Sequence, residues 1–88
     1  MKVSELQVLL AKCDPDATVL VAGFETAASR WVAEANMVTP CTSLPAQADP
    51  MSGNRCISND GNPSVWIGWS EDYRTETFLD TVSTPENY

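Results

Sequence analysis

The sequence predicts an α+β fold in which an N-terminal amphipathic helix packs on a three- to four-stranded antiparallel sheet. Three observations support this fold class: an apolar stripe at helical spacing near the start of the chain, two segments typical of strands, and an Asp-Gly turn between two further strand-like runs. A chain of 88 residues has the size of one small domain with a modest core. We therefore expect a single compact domain over residues 1–82 and a flexible C-terminal tail over residues 83–88.

The first predicted element is a helix over residues 4–13. Its apolar side chains recur at the spacing of one helix face. They are Val3, Leu6, Leu9, Leu10 and Cys13. Ser4 is a favourable N-cap residue, and Gln7 three positions later completes a capping box. The Asp14-Pro15-Asp16 sequence ends the helix, because a residue before proline avoids helical angles, and its aspartates favour an Asx turn.

Two strands are predicted next in the chain. Residues 18–22 form an apolar run typical of a central strand, and residues 30–38 alternate between apolar and polar side chains. A helix over residues 26–37 is the competing interpretation, since alanine and glutamate favour helices. Residues 40–54 contain prolines and serines with little periodicity, so they predict a loop of about 15 residues.

The Asn-Asp-Gly-Asn-Pro segment at residues 59–63 predicts a β-hairpin between residues 55–58 and residues 64–69. Strict alternation in the second of these strands places Val65, Ile67 and Trp69 on the core face. Trp66 then points to the opposite side of the sheet, which one helix cannot cover.

An outward tryptophan among apolar neighbours is typical of a contact surface. Glu71, Asp72 and Tyr73 follow Trp66 closely in the chain, and an apolar anchor with an acidic rim suits a partner protein with a basic surface. The turn after the first strand adds two candidate contact residues, Phe24 and Glu25. Two alternatives are open: residues 40–54 or the C-terminal segment cover Trp66, or a homodimer forms there.

Charge and missing residue types exclude several classes of function. A net charge of −7 with five lysines and arginines does not supply the basic surface that direct nucleic-acid binding requires. The chain has no histidine, so histidine-based catalytic sites are excluded. Its three widely spaced cysteines, at positions 13, 41 and 56, indicate reduced, mostly buried thiols and leave a zinc site incomplete. We therefore predict a protein that is not an enzyme and uses no cofactor or metal.

No run of about 18 apolar residues is present, so the sequence predicts no membrane span. The first five residues turn polar at once and lack the apolar segment of a secretory signal. Both observations indicate a protein that stays in the cytoplasm.

The N-terminal quarter of the chain carries a further pattern. It consists of Val3-Ser4-Glu5-Leu6, Leu9-Leu10, Asp14-Pro15-Asp16-Ala17, Val19-Leu20-Val21 and Gly23-Phe24-Glu25. This segment resembles the start of many small proteins encoded by tailed bacteriophages and prophages, which follow the pattern VxEL…L…PDAxVxVxG[FY]E. The glycine-rich stretch that follows the glutamate in those proteins is replaced here by Thr26-Ala27-Ala28-Ser29.

The resemblance implies a phage protein in the host bacterial cytoplasm, and in size and charge the chain is similar to anti-CRISPR and other anti-defence proteins. The expected function is non-enzymatic inhibition of a host protein, such as a CRISPR-type defence complex, by occlusion or acidic mimicry. One alternative is an oligomeric sponge for a nucleotide signal, which requires Arg30 and Arg55 near a shared strand end. The other is a structural or morphogenetic accessory of the phage.

Overall fold

The computed structural model describes residues 1–23, 30–46 and 53–88. In chain order its elements are α1 (Val3–Leu10), β1 (Leu20–Val21), β2 (Ala33–Glu34), β3 (Met37–Pro45), β4 (Arg55–Ile57), β5 (Asn62–Gly68), α2 (Thr75–Ser83) and a 3₁₀ helix, Pro85–Asn87. β1 and β2 form an antiparallel ribbon, and a second antiparallel sheet has the spatial order β4-β3-β5. The predicted α+β class with an N-terminal helix is confirmed.

The start of α1 differs from the predicted capping box. The helix begins at Val3, so Ser4 lies inside its first turn and is not the N-cap. The carboxylate of Glu5 instead accepts a hydrogen bond from the backbone N–H of Lys2 at 2.9 Å, which satisfies an amide at the helix start. Most of the apolar stripe of α1 is exposed to solvent, including Val3, which is 52 % exposed, and Leu9, which is 51 % exposed. The Asx turn predicted after the helix is present.

β3 is the longest strand and lies at the centre of its sheet. The predicted loop over residues 40–54 is therefore wrong in its first part, while residues 47–52 lie outside the described residues. β3 accommodates Pro40 because β4 pairs only with its end, from Ser43 to Pro45. At Pro40 the strand has a partner on one side only, and a residue without a backbone N–H is tolerated at such a position.

The predicted hairpin between β4 and β5 is wrong, because the two strands lie on opposite sides of β3. The chain crosses over β3 between them at residues 58–61. Ser43 lies at this crossing and pairs with Ile57 of β4 and Asn62 of β5. The crossing requires glycine at position 61, since a Cβ there would lie 2.5 Å from the backbone nitrogen of Ser43.

Trp66 lies on the covered face of the sheet. Its ring stacks on Phe78 of α2, with ring centroids 4.2 Å apart and planes 25° from parallel, and it leans over Gly68. The predicted outward orientation of Trp66 is wrong, and the alternative in which the C-terminal segment covers it is confirmed. Val65 and Ile67, predicted as core residues, are each 37 % exposed.

Hydrogen bonds attach the start of α2 to the end of β5. The hydroxyl of Thr75 donates to the carbonyl of Trp69 at 2.7 Å. Ser70 and the side chain of Asn36 exchange two hydrogen bonds, of 2.8 and 2.9 Å, which joins the end of β5 to the turn between β2 and β3. α2 is therefore fixed at its first residue in the position that lets Phe78 reach Trp66.

The core of the described residues is small and partly polar. Ala33 is their only buried apolar residue, and the buried polar residues Ser43 and Thr75 are both hydrogen-bonded. No large side chain of the described residues is completely buried. The stack of Trp66 on Phe78 contributes an apolar contact between α2 and the sheet.

The Gly61→Ala variant should unfold at lower denaturant concentration than the parent chain. The new methyl group would overlap the backbone of Ser43, and we expect a loss of about 1–3 kcal/mol, as for overpacking elsewhere. Gly53→Ala is the control: its φ of +87° makes alanine unfavourable, but nothing lies within 4 Å of the new Cβ. Equal losses for the two variants, measured by chemical denaturation, would contradict the close crossing.

The Phe78→Ala variant should lose about 2 kcal/mol of unfolding free energy, less than the ~3–5 kcal/mol for deleting a fully buried aromatic ring, because its site is only half-buried. The near-ultraviolet circular dichroism of Trp66 should weaken in parallel, since its stacking partner is removed. Tyr88→Ala, at a site that is 66 % exposed, is the control and should leave both measurements nearly unchanged.

Candidate functional site

The structure does not bring the predicted contact residues together on one open surface. Trp66 lies beneath α2, and Phe24 and Glu25 lie outside the described residues. Trp66 and Asp72 line one cavity, whereas the exposed Glu71 and Tyr73 do not line it. The binding roles assigned to these residues remain predictions.

Within the acidic cluster, Glu71 and Tyr73 are exposed, whereas Asp72 is engaged by Arg74. Two parallel contacts join the pair: Arg74 Nε donates to Asp72 Oδ1 at 2.9 Å, and Nη2 donates to Oδ2 at 2.6 Å. The guanidinium carbon of Arg74 also lies 5.5 Å from the ring centroid of Tyr73. A forked contact of this kind fixes both side chains.

This pair changes the electrostatics of the cluster. The side-chain hydrogen bonds from Arg74, followed by the hydrogen bond from its backbone N–H, lower the pKa of Asp72 from 3.8 to about 2. The same contact raises the pKa of Arg74. The charge of Asp72 is thus balanced locally, and Glu71 is left as the unpaired acid among residues 71–74.

A cavity of about 470 Å³ lies between β1, the end of β5 and the start of α2. Its described charged lining residues are Asp72 and Arg74, which already bind each other. Apolar side chains such as Val21 and Phe78 supply other parts of the wall. The arrangement offers neither a nucleophile next to a base nor a set of metal ligands.

Among the described residues, the side of the β4-β3-β5 sheet opposite Trp66 and α2 is largely exposed. Directly paired residues on it are Val38 with Ile67, and Pro40 with Val65. We call it the apolar face, and it comprises Val38, Pro40, Thr42 and Leu44 of β3, Cys56 of β4, and Pro63, Val65 and Ile67 of β5. All of these residues except the half-buried Thr42 are exposed, and none carries a charge.

The apolar face follows from the way the strands alternate. Side chains two residues apart in a strand share a face, so packing Trp66 against α2 turns Val65 and Ile67 to the other side. Thr42 is the only residue of the face with a polar side chain other than a thiol, and its hydroxyl donates to the carbonyl of Ser58. At about 3.3 Å per residue, the paired strands make this surface roughly 20 Å long.

The sequence contained a signal for this face that the prolines obscured. Val38, Pro40 and Leu44 alternate with Thr39, Cys41 and Ser43, which is the period of a strand with one apolar face. The prolines and serines of residues 40–54 favour a loop, but β3 has a paired strand on only one side at Pro40, where proline is tolerated.

The cysteines are more accessible than predicted. All three are free thiols, Cys13 and Cys56 are exposed, and Cys41 is half-buried, so the expectation of mostly buried thiols is wrong. Across residues 1–23, 30–46 and 53–88, no three side chains of His, Cys, Asp or Glu are grouped as metal ligands. None of the helices in that part of the chain has the length and apolar character needed to cross a membrane.

Comparisons with protein-family models, with curated proteins and with solved structures found no match to this chain.

The pKa of Asp72 should rise from about 2 towards 3.8 in the Arg74→Gln variant, because the hydrogen bonds that lower it are removed. Carboxyl carbon shifts followed by NMR during an acid titration would measure this change. Because the folded-state pKa lies below the unfolded one, the contribution of Asp72 to stability is present above pH 4 and is lost as the pH falls towards 2. Arg30→Gln removes the same charge and should leave the Asp72 titration unchanged.

Proposed function

We propose that the protein acts by binding another protein through the apolar face, without catalysis. The observation that supports this proposal is an uncharged, solvent-exposed sheet face in a chain with a net charge of −7. Contiguous exposed apolar surface is uncommon in monomeric proteins and is typical of interaction sites. An apolar centre surrounded by polar surface is also the usual anatomy of a protein interface.

Charge selects the kind of partner. A second copy of this chain would bring another net charge of −7 to the interface, and like charges around an apolar contact oppose association. A partner with lysine or arginine around its own apolar patch gains attraction instead, and it associates faster at low salt. The occupant of the apolar face is therefore a protein with a basic surface.

The resemblance of the N-terminal segment to small tailed-phage proteins supports a host protein as this partner. A small binder that covers a working surface of its target inhibits by occlusion, and the acidic remainder of the molecule suits a target that normally binds nucleic acid. A bacterial defence complex of the CRISPR type is the specific candidate for the target. Glu71 and Tyr73, both exposed, are available for additional contacts.

The Val38→Lys variant should lose this partner. Val38 is 70 % exposed at one end of the apolar face, opposite Ile67, so lysine is accommodated in the fold but places a charge against both the apolar contact and the basic partner. We expect affinity to fall at least tenfold, or about 1.4 kcal/mol. Val8→Lys, on exposed α1, makes the same change in net charge and should bind normally.

The measurement is a pull-down from bacterial lysate with the parent chain and both variants, followed by a binding titration with the protein recovered. Support requires one stoichiometric protein that the parent and Val8→Lys retain, that Val38→Lys loses, and that high salt releases. Light scattering on the purified chain measures its oligomeric state and so tests the competing outcome, a homodimer. A dimer that Val38→Lys dissociates would show that a second copy occupies the face and would overturn the proposal, and binding that survives Val38→Lys would do the same.

A further inference from the structure

A second cavity, of about 620 Å³, lies on the other side of the sheet from the apolar face. The start of α1, the covered face of the sheet and Phe78 of α2 enclose it. Its wall combines two cationic side chains, Lys2 and Arg55, with the hydroxyls of Ser43 and Ser64. This volume falls within the range of about 300–1,000 Å³ that is typical of small-molecule sites.

The charge of this cavity is opposite to that of the whole protein. Lys2 and Arg55 are two of the five basic residues of the chain, and none of the described lining residues is an aspartate or glutamate. Among the described residues the one ion pair joins Arg74 to Asp72, so a carboxylate neutralises neither Lys2 nor Arg55 there. The nearby Glu5 carboxylate accepts a hydrogen bond from the backbone N–H of Lys2 at the start of α1.

Arg55 is held in place by a directed chain of hydrogen bonds. Its Nε donates to Ser43 Oγ at 2.9 Å, and its Nη2 donates to the carbonyl of Ser43 at 3.0 Å. Ser43 Oγ lies 2.6 Å from Ser64 Oγ, which donates to the carbonyl of Asn62 at 3.0 Å. Because Ser64 uses its proton on Asn62, the Ser43 hydroxyl donates to Ser64 and accepts from Arg55.

These hydrogen bonds orient the guanidinium of Arg55 and leave some of its donors available for a ligand. A guanidinium has five N–H donors, and the two contacts to Ser43 use two of them. Ser43 is 4 % exposed, so the anchoring residue is itself fixed by the sheet. A cation oriented in advance binds an anion with little further loss of side-chain freedom.

We propose that this cavity binds an organic phosphate of about nucleotide size, with the phosphate between Arg55 and Lys2. Two cations match the charge of a phosphate monoester, which is about −1.5 to −2 at neutral pH. The cavity is too large for an inorganic phosphate ion alone, and apolar side chains such as Val3, Ile57 and Phe78 can contact the organic part. Pro63 and Val65 border both the cavity and the apolar face, but Arg55 and Lys2 are not part of that face, so the test of this site does not depend on the proposed function.

The test is a titration of the ¹⁵N-labelled full chain at low salt with adenosine monophosphate and glucose 6-phosphate. Adenosine, glucose and inorganic phosphate are the matched partial ligands. We expect saturable shifts of the Ser43, Arg55 and Ser64 amides, with a Kd below about 1 mM for at least one of the two organic phosphates, and at least tenfold weaker binding of its separated parts. Absence of saturable shifts with both compounds would overturn the proposal, and so would equal binding of inorganic phosphate.

Three variants locate the phosphate. Arg55→Ala should weaken binding about tenfold or more, the effect of losing a charged hydrogen bond. Arg55→Ala also removes the hydrogen bonds to Ser43, so a second variant is needed. Lys2→Ala changes a residue that precedes α1, and it should weaken phosphate binding severalfold. Arg30→Ala removes the same charge from a residue stacked on Trp31 and should bind like the parent. Equal effects of Arg30→Ala and Lys2→Ala would show a general charge effect and overturn the assignment.

Discussion

The whole sheet depends on the crossing of the chain over Ser43. This residue pairs with strands on both of its sides, its backbone lies beneath Gly61, and its hydroxyl connects Arg55 to Ser64. A buried hydroxyl must have hydrogen-bond partners, and here the same bonds that satisfy it also orient a cation at the edge of a cavity. The register of the sheet, its strand order and the cavity that holds Lys2 and Arg55 thus all involve Ser43.

The second constraint is the choice of which sheet face α2 covers. Thr75 and Asn36 fix the connection between β5 and α2, and Phe78 then meets Trp66. Since side chains alternate along a strand, covering Trp66 leaves the apolar face open. The protein therefore has two surfaces of different chemistry, one apolar and uncharged, the other polar and cationic within a cavity, on opposite sides of a thin sheet.

The sequence predicted the α+β class, the N-terminal helix and the Asx turn after it, because each of these depends on local pattern. Packing of the C-terminal segment on Trp66 was only one of the open alternatives, since it depends on a contact between distant parts of the chain. It did not predict strand order. The Asp60-Gly61 step is a hairpin signal in isolation, but its glycine serves a crossing that only the position of Ser43 explains. Pro40 favours a loop for a similar reason. A proline is tolerated at this position of β3 only because β4 pairs with Ser43–Pro45 and does not extend to Pro40. The apolar face and the cationic cavity were missed because both require knowing which strands are neighbours.

The crossing also determines how the sheet can come apart. Edge strands usually open separately, and each such opening exposes only its own backbone amides. Here one segment, residues 55–68, pairs with both sides of β3, and only residues 58–61 connect the two pairings. A short link of this kind keeps each strand close to β3 while the other is paired, so a strand that opens is recaptured quickly. We therefore expect the amides of β3 near the crossing to exchange with solvent more slowly than those at its ends, although the described residues contain little apolar core.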